Sequence, residues 1–245
     1  MGLTRKLIKK NILITGGNSR FAIELKKKFY GPNIFYKTKK ELNILNINSI
    51  RKNLHKHKIK ILIHLAALSR PMAIHEIDII SSIDINIIGT ANIVKACAEK
   101  NIKLIYFSTS YVYEGKNGNY KETDPVLPIN NYAWSKLGGE ASAHLYKNSL
   151  ILRLAMTESP FIHPVAFTNA KNNFVYRDKV IKILPKLLNE KGVINIGGEH
   201  SSSIYNFAKK SNPLVIPRKL KKLDNFPRNT SVNIYKLKNL LKKIK

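Results

Sequence analysis

The chain has 245 residues, enough for one sizeable hydrophobic core or for one core with a small second lobe. Its hydrophobic fraction of 44% excludes a disordered tail protein, although 43 Lys and Arg against 15 Asp and Glu leave a formal net charge of +28. The single cysteine, Cys97, excludes an intramolecular disulfide framework and a cysteine-rich metal site.

The positive charge is dispersed along the whole chain. Short lysine runs such as 26–28 and 221–222 lack the interleaved aromatic residues of a groove that binds single-stranded nucleic acid. We therefore predict a generally basic, solvated surface and no specific nucleic-acid site. Two alternatives stay open, a dedicated nucleic-acid site and weak attraction to anionic ligands or membranes.

The sequence carries no strong signal for export or membrane insertion. Residues 1–10 are basic, but the apolar run that follows spans only residues 12–15 before two glycines interrupt it. The longest apolar candidate for a membrane span is interrupted by Asp78, Asp84 and Asn86. We expect a cytoplasmic protein without membrane insertion, and the single cysteine fits a reducing compartment.

Strands and helices alternate from the start of the chain. Short apolar runs predict buried parallel strands at residues 11–15, 33–36, 60–66, 103–108 and 149–154. Helical patterns predict helices at residues 19–30, 83–100 and 131–147. This βαβ repetition predicts an α/β fold, a doubly wound parallel sheet of the Rossmann type.

The pattern changes after residue 155, where prolines are scattered among shorter elements. We predict a Rossmann domain at residues 1–155 and a small lobe at residues 156–245. The lobe is expected to interleave with the main sheet, because residues 193–196 can add a further strand. A basic amphipathic helix is predicted at residues 233–245, with its apolar side packed on the body.

The segment TGGNSRFA, residues 15–22, lies where the first predicted strand turns into the first helix. Small residues there let the backbone approach a pyrophosphate, and amides at the helix start bind its charge. The candidate cofactor-binding residues of this turn are Gly16, Asn18, Ser19, Arg20 and Phe21. A tight strand-to-helix connection, with Ser19 as the helix cap, is the structural alternative.

Tyr132 and Lys136 are four residues apart in a predicted helix, which places phenol and ammonium on the same face. A nearby ammonium favours the phenolate and lowers a phenol pKa that is normally about 10, so the hydroxyl becomes useful for proton transfer. Thr109 follows the fourth predicted strand, at the carboxyl edge where open α/β sheets bind ligands. The alternatives are a chance Tyr/Lys pair and an ordinary polar turn.

Residues 108–140, STSYVYEGKNGNYKETDPVLPINNYAWSKLGGE, carry a family resemblance. The run resembles the extended short-chain dehydrogenase/reductases, and most closely the dTDP-4-dehydrorhamnose reductase family. The segments HLAA at residues 64–67 and NIIGTAN at residues 86–92 support the likeness. The resemblance implies a dinucleotide-binding Rossmann domain followed by a sugar-nucleotide lobe.

The resemblance also implies roles for single residues. Thr109, Tyr132 and Lys136 would be catalytic, with Tyr132 protonating a ketone oxygen as hydride arrives from the nicotinamide. Lys136 would bind the nicotinamide ribose and tune the tyrosine, and Asn86 would brace the site from its helix. The cofactor would also be lined by Ala66, Ala67 and Leu68.

The resemblance implies NADP or NAD as the cofactor and a nucleotide sugar as the substrate. NADP is slightly favoured because Arg20, Lys37 and Lys39 can pair with a 2′-phosphate and no acidic residue ends the second predicted strand. Ser110 and Asn43 stand where the family usually has Asp, which leaves the exact reaction and the adenine-side contacts open.

Three functions fit this sequence. The leading one is NAD(P)H-dependent reduction of a 4-keto nucleotide sugar, and the second is an epimerase or dehydratase of the same superfamily. The third is a non-catalytic regulatory or binding subunit, because fold alone does not specify function. A homodimer is the candidate assembly. The seven histidines have no ligand-like spacing, so we expect no catalytic metal site.

Overall fold

The computed structural model describes residues 10–243. Most of the basic start at residues 1–10 lies outside the described residues, and so do the last two residues of the helix predicted at residues 233–245.

Helices and strands alternate through the first part of the described chain. The α-helices are α1 (Arg20–Lys26), α2 (Ile47–Lys56), α3 (Ile74–Ile77), α4 (Ile79–Ser82), α5 (Gly89–Glu99), α6 (Asn131–Leu145), α7 (Arg177–Ile183), α8 (Ile204–Lys209) and α9 (Tyr235–Lys243). The strands are β1 (Ile12–Thr15), β2 (Ile34–Lys37), β3 (Ile61–His64), β4 (Lys103–Thr109), β5 (Ser149–Leu154), β6 (Met156–Thr157), β7 (Val165–Phe167), β8 (Lys171–Asn172), β9 (Val175–Tyr176), β10 (Gly192–Ile196), β11 (Ser202–Ser203) and β12 (Ile216–Arg218).

Six strands form one parallel sheet in the order β10-β5-β4-β3-β1-β2, flanked by helices. Ile12 of β1 pairs with Ile34 of β2 on one side and with Ile61 of β3 on the other. Every residue of β1, β3, β4 and β5 is buried, as expected for parallel strands covered on both faces. The predicted α/β fold class is confirmed. The chain crosses from one side of β1 to the other, and ligands of such sheets bind at the carboxyl ends beside this crossover.

The chain divides into two compact units. Among the described residues, the first unit comprises 10–107, 135–151 and 187–192, and the second comprises 108–134, 152–186 and 193–243. In the first unit α2 packs on α5, with Ile50 and Leu54 of α2 and Ile93 of α5 buried. An ion pair of 2.6 Å between Arg51 and Glu99 joins the two helices at the surface.

The second unit has its own apolar cluster. Its short strands pair two by two, β6 with β9, β7 with β12 and β8 with β11. The buried residues of the cluster are Phe161, Ala166, Ala170, Ile204, Ala208, Val215 and Leu220. Helix α9, which lies within the helix predicted at the end of the chain, buries Leu237 in this unit.

Several helices differ from the sequence expectation, and the short helices α3, α4, α7 and α8 lie where it predicts none. The helix expected at residues 19–30 ends at Lys26, because the backbone turns over residues 27–29. Helix α2 lies in a segment where the sequence analysis predicts none. Asn46 caps it by accepting from the amides of Asn48 at 2.9 Å and Ser49 at 3.1 Å, and its apolar side is narrow because most of its residues are polar.

The helical run Ile79–Glu99 consists of α4, a π-helical segment Ile83–Ile88 and α5. Its 21 residues are long and apolar enough to cross a membrane by length and composition alone, since the helix continues through Asp84 and Asn86. The Asn86 side chain is fully buried and donates to the Ser135 hydroxyl at 2.9 Å.

Candidate functional site

The turn after β1 brings the backbone of Gly16 against the segment that follows β3. Gly16 has a positive φ of 66°, and a Cβ atom there would lie 2.8 Å from the backbone nitrogen of Ala66. At Gly17 a Cβ would lie 3.1 Å from the nitrogen of Lys37, at the end of β2. The turn is therefore bare backbone beside the ends of three strands, which is the shape that a pyrophosphate needs.

The other residues of this turn differ in exposure. The Ser19 hydroxyl accepts a hydrogen bond from the amide three residues later at 3.2 Å and caps α1. Ser19 therefore has the helix-capping role that the sequence analysis gives as the alternative to phosphate binding. Asn18 and Arg20 are exposed. Phe21 is buried, and its ring centroid lies 5.2 Å from that of Phe107. Phe21 thus packs against the end of β4 and stabilises the start of α1 next to the turn.

A buried polar chain links the ends of β1 and β3. His64 Nδ1 lies 2.8 Å from Thr15 Oγ1, and His64 Nε2 lies 3.2 Å from Thr90 Oγ1. The Thr15 hydroxyl also accepts from the amide of Ala66 at 3.2 Å. Burial, followed by the positive charge of Lys136, lowers the pKa of His64 to about 3, so the imidazole is neutral. His64 therefore positions the two strand ends and holds no charge.

The segment after β3 is fixed by one asparagine. Asn86 Oδ1 accepts from the Leu68 amide and Asn86 Nδ2 donates to the Leu68 carbonyl, both at 2.8 Å. Ala67 is exposed, whereas Ala66 and Leu68 are half-buried. The three predicted cofactor-lining residues thus lie on a braced segment, next to the Gly16 turn.

Lys136 is a buried cation on α6. Its Nζ lies 4.3 Å from the ring centroid of Tyr106, whose hydroxyl donates to the Lys136 carbonyl at 3.0 Å. Only 5% of the lysine is exposed. Burial lowers the pKa of Lys136 to about 7, while the negative charge of Glu140, one helical turn further, raises it in opposition. Both forms of the amine are therefore accessible near neutral pH.

Lys37 ends β2 at the side expected to receive the adenine ribose. Its Nζ lies 3.9 Å from Glu41 Oε1. Glu41 also accepts from the amide of Thr38 at 2.9 Å and from the Thr38 hydroxyl at 2.8 Å, and these hydrogen bonds hold the pKa of Glu41 below its usual range. An acidic residue therefore stands near the end of β2, which weakens the sequence argument for NADP over NAD.

The remaining predicted catalytic residues lie in the second unit. Thr109 ends β4, is buried, and accepts from the amide of Tyr111 at 3.2 Å. Tyr132 is half-buried, and its ring meets that of Tyr111 edge-on at 6.3 Å between centroids. Tyr132 and Lys136 both belong to α6, one turn apart. All ten predicted cofactor-binding residues lie in the first unit.

Sequence reasoning missed the residues that hold Lys136 and the turn in place. Tyr106 lies in the middle of an apolar strand, where the sequence suggests only a core residue. His64 is noted in the sequence only as part of the HLAA segment. Thr15 and His64 pair in register on neighbouring parallel strands, so this contact follows once the strand order is known. Within residues 10–243, no group of three or more His, Cys, Asp or Glu side chains is placed to hold a metal ion.

Comparison with known proteins adds family relationships. Residues 10–177 match the family described as RmlD substrate binding domain. A dTDP-4-dehydrorhamnose reductase of Aggregatibacter actinomycetemcomitans is 32% identical over 162 residues, which cover 64% of this chain and 51% of that protein. Methionine adenosyltransferase 2 subunit beta of Pongo abelii is 32% identical over 100 residues, which cover 41% and 30%. The chain thus spans about a third to a half of the length of these relatives.

Solved structures share the fold over almost the whole chain. The dTDP-4-dehydrorhamnose reductase of Bacillus anthracis in complex with NADP has a TM-score of 0.82 at 22% identity, covering 95% of this chain and 92% of that one. WbmG of Bordetella bronchiseptica in complex with NAD has a TM-score of 0.77 at 18% identity, covering 97% and 88%. At such identities the likeness shows the Rossmann-like fold alone.

Proposed function

Because the chain belongs to the RmlD substrate-binding-domain family, we propose that it is an NADP- or NAD-dependent reductase of a 4-keto nucleotide sugar. One relative is a dTDP-4-dehydrorhamnose reductase, and proteins of the same fold are solved with NADP or NAD. The observation that carries the proposal is the buried Lys136, held on the Tyr106 ring one helical turn after Tyr132.

The cofactor fits the residues of the first unit. Gly16 and Gly17 leave bare backbone at the start of the turn, and we assign this turn, with Asn18, Ser19 and Arg20, to the pyrophosphate. Ala66, Ala67 and Leu68 would line the cofactor along the segment that Asn86 braces, and Lys37 would lie at the adenine ribose. Phe21 would support the turn through its packing.

The chemistry proposed for the second unit is proton donation. A bound reduced nicotinamide would supply the hydride to the ketone carbon. Tyr132 would donate its hydroxyl proton to the ketone oxygen, which becomes the product alcohol, and Thr109 would orient that oxygen. Lys136 would stabilise the resulting phenolate in its charged form and bind the nicotinamide ribose. Its pKa of about 7 gives it a substantial charged population at neutral pH.

We assign the two halves of the chain to different ligands. The Gly16 turn and Lys136 lie before residue 155, so residues 1–155 would bind the cofactor. The apolar cluster of the second unit lies after that residue and gives residues 156–245 a core of their own, and we assign the nucleotide sugar to this lobe. We place the reaction in the cytoplasm.

The proposal is tested by mixing the purified protein with NADPH or NADH and a panel of 4-keto nucleotide sugars. The absorbance of the reduced nicotinamide reports turnover, and chromatography reports the product. We expect one mole of cofactor oxidised per mole of alcohol formed. Product formation without net oxidation would instead identify an epimerase or dehydratase. Absence of any product across the panel would contradict both.

A second candidate function is regulatory. It is favoured by the 32% identity over 100 residues to methionine adenosyltransferase 2 subunit beta, which is named as a subunit. Under this alternative the protein would bind a methionine adenosyltransferase and change its rate. Addition of the protein to that enzyme in a steady-state assay separates the candidates, because a reductase would leave the rate unchanged.

A further inference from the structure

A row of polar residues stands at the amino edge of the parallel sheet, opposite the edge that carries the Gly16 turn. The Lys60 amide donates to the Asn11 carbonyl at 2.9 Å, the Lys103 amide to the Lys60 carbonyl at 3.0 Å, and the amide after Lys103 to the Asn148 carbonyl at 3.1 Å. These bonds place the starts of β1, β3, β4 and β5 side by side in the first unit.

This edge lines an open cavity of about 720 Å³, formed by residues of the first unit. Four asparagines and five lysines line it, and no acidic or aromatic residue does. The lysines are Lys10, Lys58, Lys60, Lys103 and Lys191. The fold brings these like charges together on one concave surface from well-separated parts of the sequence.

Most of this charge is not compensated by protein groups. Among the described residues, the side chains of Lys58, Lys60 and Lys191 form neither an ion pair nor a hydrogen bond. Lys10 donates to the side chain of Asn189 at 3.3 Å.

The fifth lysine, Lys103, is 8% exposed and donates to the backbone carbonyl of Glu190. Burial, followed by the charges of Lys191 and Lys10, lowers the pKa of Lys103 to about 8, and the Glu190 carboxylate opposes this. An anion in the cavity would relieve the repulsion between the lysines.

We propose that this cavity binds a compact anion that carries several phosphate groups. Lysine ammonium groups bind phosphate as point charges, and asparagine amides add neutral donors. A nucleic acid fits less well, because the lining offers no aromatic ring for base stacking.

The competing explanation is that the lysines only offset the carbonyl groups at helix ends. Lys58 follows the end of α2, and cations are favourable beside helix C-termini. Under this explanation the lysines stabilise the fold and bind nothing.

The test uses inorganic tripolyphosphate and the full chain in isothermal titration calorimetry at about 0.15 M salt, where weak surface attraction is screened. We expect saturable one-to-one binding and a higher melting temperature with the anion. The double variant Lys60→Gln/Lys191→Gln should lose affinity by about tenfold or more, and the anion should no longer raise its melting temperature.

Two further proteins make the outcome decisive. The matched variant Lys52→Gln/Lys95→Gln removes two exposed lysines of the same unit outside the cavity and should bind as the unchanged protein does. Gly16→Val should also bind, which separates this cavity from the proposed cofactor turn. No saturable binding, equal losses in both double variants, or loss in Gly16→Val would overturn the proposal. Tighter binding of a single-stranded oligonucleotide or of anionic vesicles at the same residues would do so as well.

Discussion

Lys136 shows how one residue can serve a site at a cost to stability. Its ammonium is removed from water by Tyr106, the sheet and its own helix, and burial lowers its pKa to about 7 from the usual value of about 10.5. Between these two pH values the unfolded chain binds a proton that the folded chain lacks. The free energy of unfolding therefore rises as pH increases from about 7 to about 10.5. It falls again as pH is lowered towards 7.

We expect Lys136→Met to remove this dependence. At pH 7 the variant should melt about 4 °C higher than the unchanged protein, which corresponds to roughly 1–2 kcal/mol, because no charge is buried. The difference should shrink as pH rises towards 10. Circular dichroism melts from pH 6 to pH 10 measure it, and the difference between the two proteins isolates this lysine from the titration of Lys103. A constant difference at all pH values would show that the pKa of Lys136 is not lowered in the folded protein.

The hydroxyl of Tyr132 is the group on which the proposed reaction depends. Tyr132→Phe keeps the ring that packs on Tyr111 and removes the proton donor. Turnover on the panel substrate should fall by a factor on the order of 10² to 10⁴, while cofactor affinity changes little because the phenol binds no phosphate. Stopped-flow kinetics measure the turnover, and calorimetry measures the cofactor affinity. The control is Tyr235→Phe, the same change at a tyrosine that is 71% exposed. Near-normal turnover in folded Tyr132→Phe protein would refute the role.

At the scale of elements, the turn between β1 and α1 has the strictest requirement for a particular backbone geometry. Gly16 combines a positive φ with a backbone contact that leaves no room for a Cβ atom. Gly16→Val should weaken NADPH and NADH binding by about tenfold or more, because the turn must open away from Ala66. Strained backbone adds a stability loss of about 1–3 kcal/mol. Calorimetry and thermal melts measure these two effects.

Gly31 offers a matched control for that variant. A Cβ atom at Gly31 would meet no heavy atom within 4 Å, and its φ is not positive. Gly31→Val should therefore leave both the fold and the cofactor affinity nearly unchanged. Unchanged cofactor affinity in a folded Gly16→Val protein would reduce the turn to a strand-to-helix connection.

The elements also show which parts of the fold are readable from sequence. Strands β1, β3, β4 and β5 are predictable because each is a mainly apolar run buried on both faces. Helix α2 is not, because its buried side consists mainly of Ile50 and Leu54 among polar residues. Tyr132 and Lys136 are found together because their spacing is local. The contact of Lys136 with Tyr106 joins a helix to a strand 30 residues earlier in the chain, so no local sequence pattern predicts it.

At the scale of the whole molecule, the net charge of +28 has two separate consequences. Dispersed lysines raise the general attraction of the surface for any polyanion, and this attraction falls steeply with salt. The cavity at the amino edge of the sheet concentrates five of them, with no acidic residue in its lining. Salt should weaken general binding far more than binding in the cavity, because the five lysines of the cavity, of which Lys103 is buried, act together on one ligand at close range.

This difference predicts how the protein treats DNA. In fluorescence anisotropy, a labelled random duplex should bind at about 20 mM salt and be released by about 150 mM, without preference for sequence. The variants Lys60→Gln/Lys191→Gln and Lys52→Gln/Lys95→Gln should weaken this binding equally, because each removes two charges from the same dispersed field. Tripolyphosphate binding should separate the same two variants. Sequence-selective DNA binding that persists at 150 mM salt would contradict the prediction and make nucleic acid a specific partner of this basic surface.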